Sequence, residues 1–126
     1  MISHLPFIAG AGIYSEAVLT SATLSLSAVW EVPTVKFSAD ESPLKILNNL
    51  PKHECLFQLN GDPGKILAEG GSWLEAIGAW KKTLILFVMP LPNGDIPGCA
   101  AAYVALSKQF SVPLVGIFQF GGVWDP

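Results

Sequence analysis

The chain contains no arginine, and charged residues make up only 13% of its 126 positions. All seven basic residues are lysines, set against ten acidic residues. We do not expect nucleic acid as a partner, because binding along a phosphate backbone needs a basic patch. The missing arginine also removes the planar side chain that holds phosphate and carboxylate through paired hydrogen bonds.

Cysteine, histidine and long apolar runs are scarce as well. Two cysteines and two histidines do not form a spaced zinc motif, so no metal site is expected. No apolar run approaches the roughly 18 residues of a membrane span, and the N-terminus lacks the basic region of a signal peptide. We therefore expect a cytoplasmic protein without a membrane partner.

Apolar residues, in contrast, are abundant. They make up 51% of the chain, and the mean hydropathy is +0.48. A chain of this length forms a single domain with a sizeable core. This composition nevertheless supplies more apolar surface than a small monomer easily buries, so we expect a homo-oligomer.

The clearest fold signal lies in residues 82–120. Apolar runs at 83–89 and 112–120 flank an Ala- and Leu-rich segment at 99–110, for which Asp95 is a candidate N-cap and Pro97 falls in the first turn. This pattern is typical of a β-α-β unit with buried parallel strands. Further strands are predicted at 5–10, 32–37, 54–59 and 66–70, and further helices at 16–30, 44–50 and 72–81. The chain is thus predicted to be one three-layer α/β domain with a mostly parallel sheet flanked by helices, Rossmann-like or P-loop-like in architecture.

One sequence pattern occurs twice. Leu26-Ser-x-x-Trp30-x-Val-Pro33 reappears as Leu106-Ser-x-x-Phe110-x-Val-Pro113. In both copies a predicted helix ends in an aromatic residue and passes into a Val-Pro strand. The spans around the two copies do not match, so the pattern indicates the same packing solution used twice rather than a duplicated domain.

The first candidate site is Gly10-Ala-Gly12 with Ser15, which lies between a predicted strand and a predicted helix. A phosphate-binding loop occupies this position in nucleotide-binding folds, so these residues are candidates for cofactor binding. The segment matches neither the Walker A motif nor the dinucleotide fingerprint. Glu16, close to the helix N-terminus, would repel a phosphate. Nucleotide binding and a plain loop both stay open.

Two further places are candidates for chemistry. Lys36 and Glu69 each lie at or near the end of a predicted strand, where ligands bind in open α/β sheets, and are the candidate catalytic pair for one crevice. The alternative for both is a solvated charge. Cys99 lies at a predicted helix N-terminus, which would favour a thiolate, although a buried thiol is the alternative. Residues 61–65 superficially resemble a P-loop but have the wrong spacing, so we predict a plain turn there.

Several segments are similar to the dethiobiotin synthetase group of P-loop ATP-dependent ligases. They are the β-α-β unit at 84–117 with its Leu114-Val-Gly-Ile117 pattern, the first strand Phe7-Ile-Ala-Gly10, Thr34-Val-Lys36, and Ile66-Leu-Ala-Glu69-Gly-Gly71. The resemblance implies ATP and Mg²⁺ as cofactors, with Lys36 facing the substrate and Glu69 serving magnesium and substrate. The chain departs from the group in lacking its Gly-Lys-Thr at residues 14–17, in having Phe37 for a proline and Phe120 for an asparagine, and in a much shorter span between Lys36 and Glu69.

Without the lysine and threonine of the phosphate loop, neither charge neutralisation nor magnesium anchoring is provided for. We therefore expect a small domain of nucleotide-binding-type architecture that lacks the Walker A motif, is not an enzyme, and acts by self-association or by binding a ligand or partner. Two alternatives stay open. One is an ATP- and Mg²⁺-dependent ligase that uses Lys36 and Glu69, and the other is a thiol-based activity at Cys99.

Overall fold

The structure, a computed structural model of the chain, describes residues 5–12, 15–51, 53–89 and 98–119. Strands and helices alternate along these residues. The longest described helix has 15 residues, and none in the described ranges is long and apolar enough to cross a membrane. In chain order the elements are β1 (Phe7–Gly10), α1 (Glu16–Trp30), β2 (Thr34–Ser38), α2 (Pro43–Leu47), β3 (Leu56–Asn60), α3 (Trp73–Ala79), β4 (Leu84–Val88), α4 (Gly98–Gln109) and β5 (Leu114–Gln119).

The strands form one five-stranded sheet in the order β2-β3-β1-β4-β5, and every neighbouring pair is parallel. Strand β4 is buried along its whole length, as expected for a central strand of a parallel sheet with helices on both faces. This arrangement confirms the predicted three-layer α/β domain.

Helix α1 lies on one face of the sheet, and α2, α3 and α4 lie on the other. Successive strand residues point to opposite faces, so Ile8 packs with Leu19 of α1 while Phe7 packs with Trp73 of α3. The chain crosses the sheet in one direction from β1 to β2 and in the other direction after β2. Right-handed crossovers then place α1 opposite the other helices.

Most predicted elements are confirmed, α1 at both ends and the others with ends that move by up to three residues. The strand predicted at 66–70 is wrong. Residues 67–71 form a tight loop instead, in which the Leu67 N–H donates to Gly71 O at 2.8 Å and the Gly70 N–H donates to Leu67 O at 2.9 Å. Gly70 and Gly71 have φ angles of 92° and 76°, which suit glycine. The proposed helix start at Asp95 and Pro97 lies outside the described residues.

Three helices pass into the following strand through the same turn. Glu31, Lys81 and Ser111 follow α1, α3 and α4 in the left-handed conformation, with φ angles of 55°, 54° and 56°. In each case the next N–H donates to the carbonyl five residues earlier, at 2.8–3.1 Å, and the strand begins three residues after the left-handed residue. This is the Schellman arrangement, which satisfies carbonyls at the helix end. Two of the turns are the repeated sequence pattern, and Trp80-Lys-Lys82 is a third that lacks its Val-Pro.

Helices α3 and α4 approach closely at their C-terminal ends. A Cβ atom on Gly78 would lie 2.0 Å from the carbonyl oxygen of Phe110 and 3.3 Å from Cγ2 of Val112. Gly78 is buried inside α3, so its missing side chain is what lets the end of α4 lie against α3.

Candidate functional site

The sheet has a topological switch between β1 and β4. These strands are neighbours, but the chain leaves β1 toward the β2 edge and leaves β4 toward the β5 edge. In open α/β sheets the diverging connections leave a crevice beyond the carboxyl ends of the two strands, where ligands bind. We call this place the switch crevice, and its described residues are 10–12, 15–17 and 88–89.

The loop after β1 is held against β4 on one side of the switch crevice. The Ala11 N–H donates to Phe87 O at 2.9 Å, and Gly12 adopts a φ of 83°. The Ser15 N–H contacts Sδ of Met89 at 3.1 Å. These contacts fix where the chain turns into α1, and they bring Gly10, Gly12 and Ser15 together at one place as the sequence predicts.

Ser15 is the N-cap of α1. Its Oγ accepts a hydrogen bond from the Val18 N–H at 3.4 Å, and its carbonyl accepts one from the Leu19 N–H at 3.0 Å. The N–H groups of Glu16 and Ala17 precede the first intrahelical bond, so they are the donors that this helix end offers to a ligand. The helix dipole adds a partial positive charge at the same point.

The electrostatics of the switch crevice are not those of a phosphate-binding loop. Glu16 lies in the first turn of α1 and is exposed, and none of the described crevice residues is a lysine. Lys36 lies on β2, two strands away from β1, which is roughly 10 Å across the sheet. The carboxylate therefore opposes the helix dipole, and no described side chain of the crevice supplies a compensating cation.

The structure does not bring Lys36 and Glu69 into one crevice. Lys36 is exposed and lies in register with Gln58 on the α1 face of the sheet. Glu69 lies on the other face, beside α2, where its Oε2 accepts a hydrogen bond from the Ser42 hydroxyl at 3.3 Å. The expectation of a shared crevice is thus not met, because Glu69 belongs to the loop before α3 and not to a strand.

Glu69 instead lines a surface cavity of about 370 Å³ between α2 and α3. Pro43, Leu44, Ala76 and Ala79 give the cavity an apolar wall, and Glu75 is its second carboxylate. Both glutamates are exposed. This arrangement leaves the two carboxylates in contact with water.

A buried polar cluster, which the sequence pattern does not indicate, lies on the α1 face. Gln58 of β3 is 1% exposed, and its Nε2 donates to Thr20 Oγ1 at 2.9 Å and to Asn60 Oδ1 at 2.7 Å. Its Oε1 is buried and accepts no hydrogen bond. The only sequence signal was a glutamine inside an apolar strand, because Thr20 lies 38 residues earlier in the chain.

The remaining predicted residues contribute little to a site. Cys99 lies in the first turn of α4, but its side chain is outside the described part of the structure, so the thiol hypothesis stays a prediction. Burial raises the pKa of the Cys55 thiol, which is typical of an inert core cysteine. No cluster of three or more His, Cys, Asp or Glu that could hold a metal occurs among the described residues.

Residues 61–65 form the predicted plain turn. Oδ1 of Asp62 accepts hydrogen bonds from the Gly64 N–H at 2.9 Å and from the Tyr103 hydroxyl at 2.6 Å. Lys65 pairs with Asp40 at 2.9 Å, and this hydrogen bond raises the Lys65 pKa. The lysine that superficially resembles a P-loop lysine therefore joins two surface loops.

Together these observations define an open parallel α/β domain with a switch-point crevice and no Walker A loop. Neither a protein-family model nor a curated protein matches this chain.

Proposed function

We propose that this chain is a non-catalytic α/β domain of nucleotide-binding-type architecture, which binds a small ligand in the switch crevice. The observation that carries this proposal is that three features coincide there. The connections of β1 and β4 diverge, Gly12 turns the chain in a left-handed conformation, and α1 begins directly behind it. We also propose a cytoplasmic location.

The donors of the crevice define the class of ligand. Backbone N–H groups at the start of α1 bind acceptor oxygens, such as those of a carboxylate or a phosphate. Glu16 repels a multiply charged anion, and the described crevice residues lack the lysine that would offset its charge. We therefore expect a ligand with one acidic or carbonyl group at this point. ATP should bind only weakly, with a Kd in roughly the millimolar range.

A catalytic role receives less support. A ligase mechanism through Lys36 and Glu69 needs both groups at one substrate, and they lie on opposite faces of the sheet. Glu69 lines the cavity between α2 and α3, and none of the described residues of the switch crevice lines that cavity. The resemblance to the dethiobiotin synthetase group thus supports a hypothesis about architecture rather than one about activity.

Titration with ATP, with and without Mg²⁺, followed by amide chemical shifts tests the proposal. We expect weak, saturable binding that does not depend on Mg²⁺, with the largest shift changes at Gly12 and at residues 15–17. Tight binding that requires Mg²⁺ would favour the ligase hypothesis. If ATP, inorganic phosphate and acetate all leave the amide chemical shifts unchanged, the proposed ligand site is refuted.

Two glycine substitutions provide a matched comparison. Gly12→Ala and Gly70→Ala both place a Cβ on a residue with positive φ, so each should lose about 1 kcal/mol of stability. Only Gly12 lies at the switch crevice, whereas Gly70 lies in the loop before α3. We expect Gly12→Ala to weaken ATP binding several-fold and Gly70→Ala to leave it unchanged. An equal loss of ATP affinity in both variants would mean that the loss follows from reduced stability and not from a site at Gly12.

A further inference from the structure

The two edges of the sheet are built differently. At one edge, β2 carries Lys36 at its centre, flanked by Thr34 and Ser38 on the same face. A central lysine is a common device that prevents an edge strand from pairing with another chain. The edge of β2 is therefore protected by its own sequence.

The other edge, β5, lacks a central charge, and its one irregularity is a register shift against β4 between Leu114 and Gly116. Its sequence LVGIFQ contains neither a charge nor a proline, and no described strand pairs with its outer side. Val115 and Ile117 are 61% and 47% exposed there. An uncharged, six-residue edge strand with exposed β-branched side chains is a template for pairing with a further strand.

Helix α4 extends this surface on one face of the sheet. Tyr103 and Leu106 lie on its inner flank, against the turn at Gly64. Helical spacing places Ala101, Val104 and Lys108 on the opposite, outer flank, where Val104 packs partly against the core and Ala101 and Lys108 are exposed. The exposed part of this flank is small at Ala101 and charged at Lys108, so a second helix can approach it closely at Ala101.

We propose that β5 is the interface of a homodimer, in which two copies pair their β5 strands antiparallel around a two-fold axis normal to the sheet. This operation keeps each face on its own side, so the two α4 helices meet along their outer flanks, next to the paired strands. An isologous contact of this kind is closed. It buries Val115, Ile117 and Ala101 of both copies and joins two five-stranded sheets into one.

A second copy fits this edge better than other occupants do. The strand has no charge, so its own copy meets it without the like-charge repulsion that opposed residues would cause. The alternative is head-to-tail pairing, in which β5 of one copy pairs with β2 of the next. This would place Lys36 in the new pair of strands, and it would add copies without closing. The high apolar content and low charge of the chain are consistent with burial of the β5 edge in a dimer.

Sedimentation equilibrium of the wild type and two lysine variants tests the proposal. We expect the wild type to have twice the chain mass of 13.4 kDa at tens of micromolar. Ile117→Lys should be monomeric, because it places a lysine from each copy near the two-fold axis. Val29→Lys is the matched control. Val29 is 74% exposed on α1, so its substitution should leave the dimer intact.

Folding and pairing can be told apart in the same samples. Both substituted side chains are exposed, so the urea midpoint of each variant measured at low concentration should equal that of the wild type. A wild type that stays monomeric at hundreds of micromolar overturns the proposal, as does an Ile117→Lys variant that stays dimeric. Assemblies larger than a dimer, whose size increases in a Lys36→Val variant, would indicate head-to-tail pairing. This result would also overturn the proposal.

Discussion

Replacing Gly78 with alanine tests the packing of α3 against α4 most directly. Helix propensity alone predicts that Gly78→Ala stabilises the protein by about 1 kcal/mol, because glycine is a poor residue inside a helix. The structure predicts the opposite sign. The added Cβ would lie 2.0 Å from Phe110 O, whereas ordinary carbon–oxygen contacts need about 3.3 Å.

The size of the effect follows from what must move. The clashing atom belongs to the backbone, so no side-chain rotation relieves it, and the ends of α3 and α4 must separate by more than about 1 Å. Overpacking of this kind costs about 3 kcal/mol at the upper end of its usual range. After the gain in helix propensity is subtracted, we expect a net loss of about 2 kcal/mol. With a typical urea m-value, the unfolding midpoint should fall by about 1 M.

Urea unfolding followed by tryptophan fluorescence measures this change. Gly64→Ala is the control, since a Cβ there makes only ordinary contacts, 3.4–3.5 Å from atoms of Leu106, Asp62 and Tyr103. It should leave the midpoint unchanged or raise it slightly. A Gly78→Ala midpoint at or above that of the wild type would show that the helix ends do not pack as described.

Three further changes have defined outcomes in the same urea assay. Glu31→Gly should stabilise the protein by about 1 kcal/mol, because it relieves a left-handed residue and removes a carboxylate from the C-terminal end of α1; a lower midpoint would contradict this. Thr83→Val should gain about 1 kcal/mol, because the Thr83 hydroxyl is buried without a partner; the control Thr23→Val, whose hydroxyl donates to Leu19 O at 2.8 Å, should not gain. The raised pKa of Cys55 keeps its thiol protonated in the folded state after the unfolded chain has ionised. The contribution of Cys55 to the free energy of unfolding should therefore be fully present below about pH 8.5 and should decrease above it. Cys55→Ala should remove this decrease.

The fold was predictable because its signals are local. Helix α1 matches its predicted span at both ends, since Ser15 caps it and the pattern before Val32 ends it. Strand β4 is a continuous apolar run that could only be buried. The strand predicted at 66–70 failed because an apolar run need not be buried: Ile66 is 68% exposed, and the segment closes on itself through Gly71.

The candidate site was predictable only in part. Gly10, Gly12 and Ser15 are close in sequence, so their proximity follows from one strand-loop-helix connection. Whether Lys36 and Glu69 share a crevice depends instead on which face each residue occupies. The face of Lys36 depends on its position in the alternation of strand β2, and the face of Glu69 depends on the path of a loop. No local sequence pattern predicts either one.

The buried amide of Gln58 has a consequence for the switch crevice. Among the described helices, α1 is alone on its face, so no neighbouring helix prevents it from sliding or turning over the apolar strands beneath it. The hydrogen bond from Gln58 to Thr20 opposes both motions, because a shift of α1 by one residue would break it. The position of the α1 N-terminus is therefore held from inside the protein as well as by the contacts of Ala11 and Ser15 at the opening of the crevice.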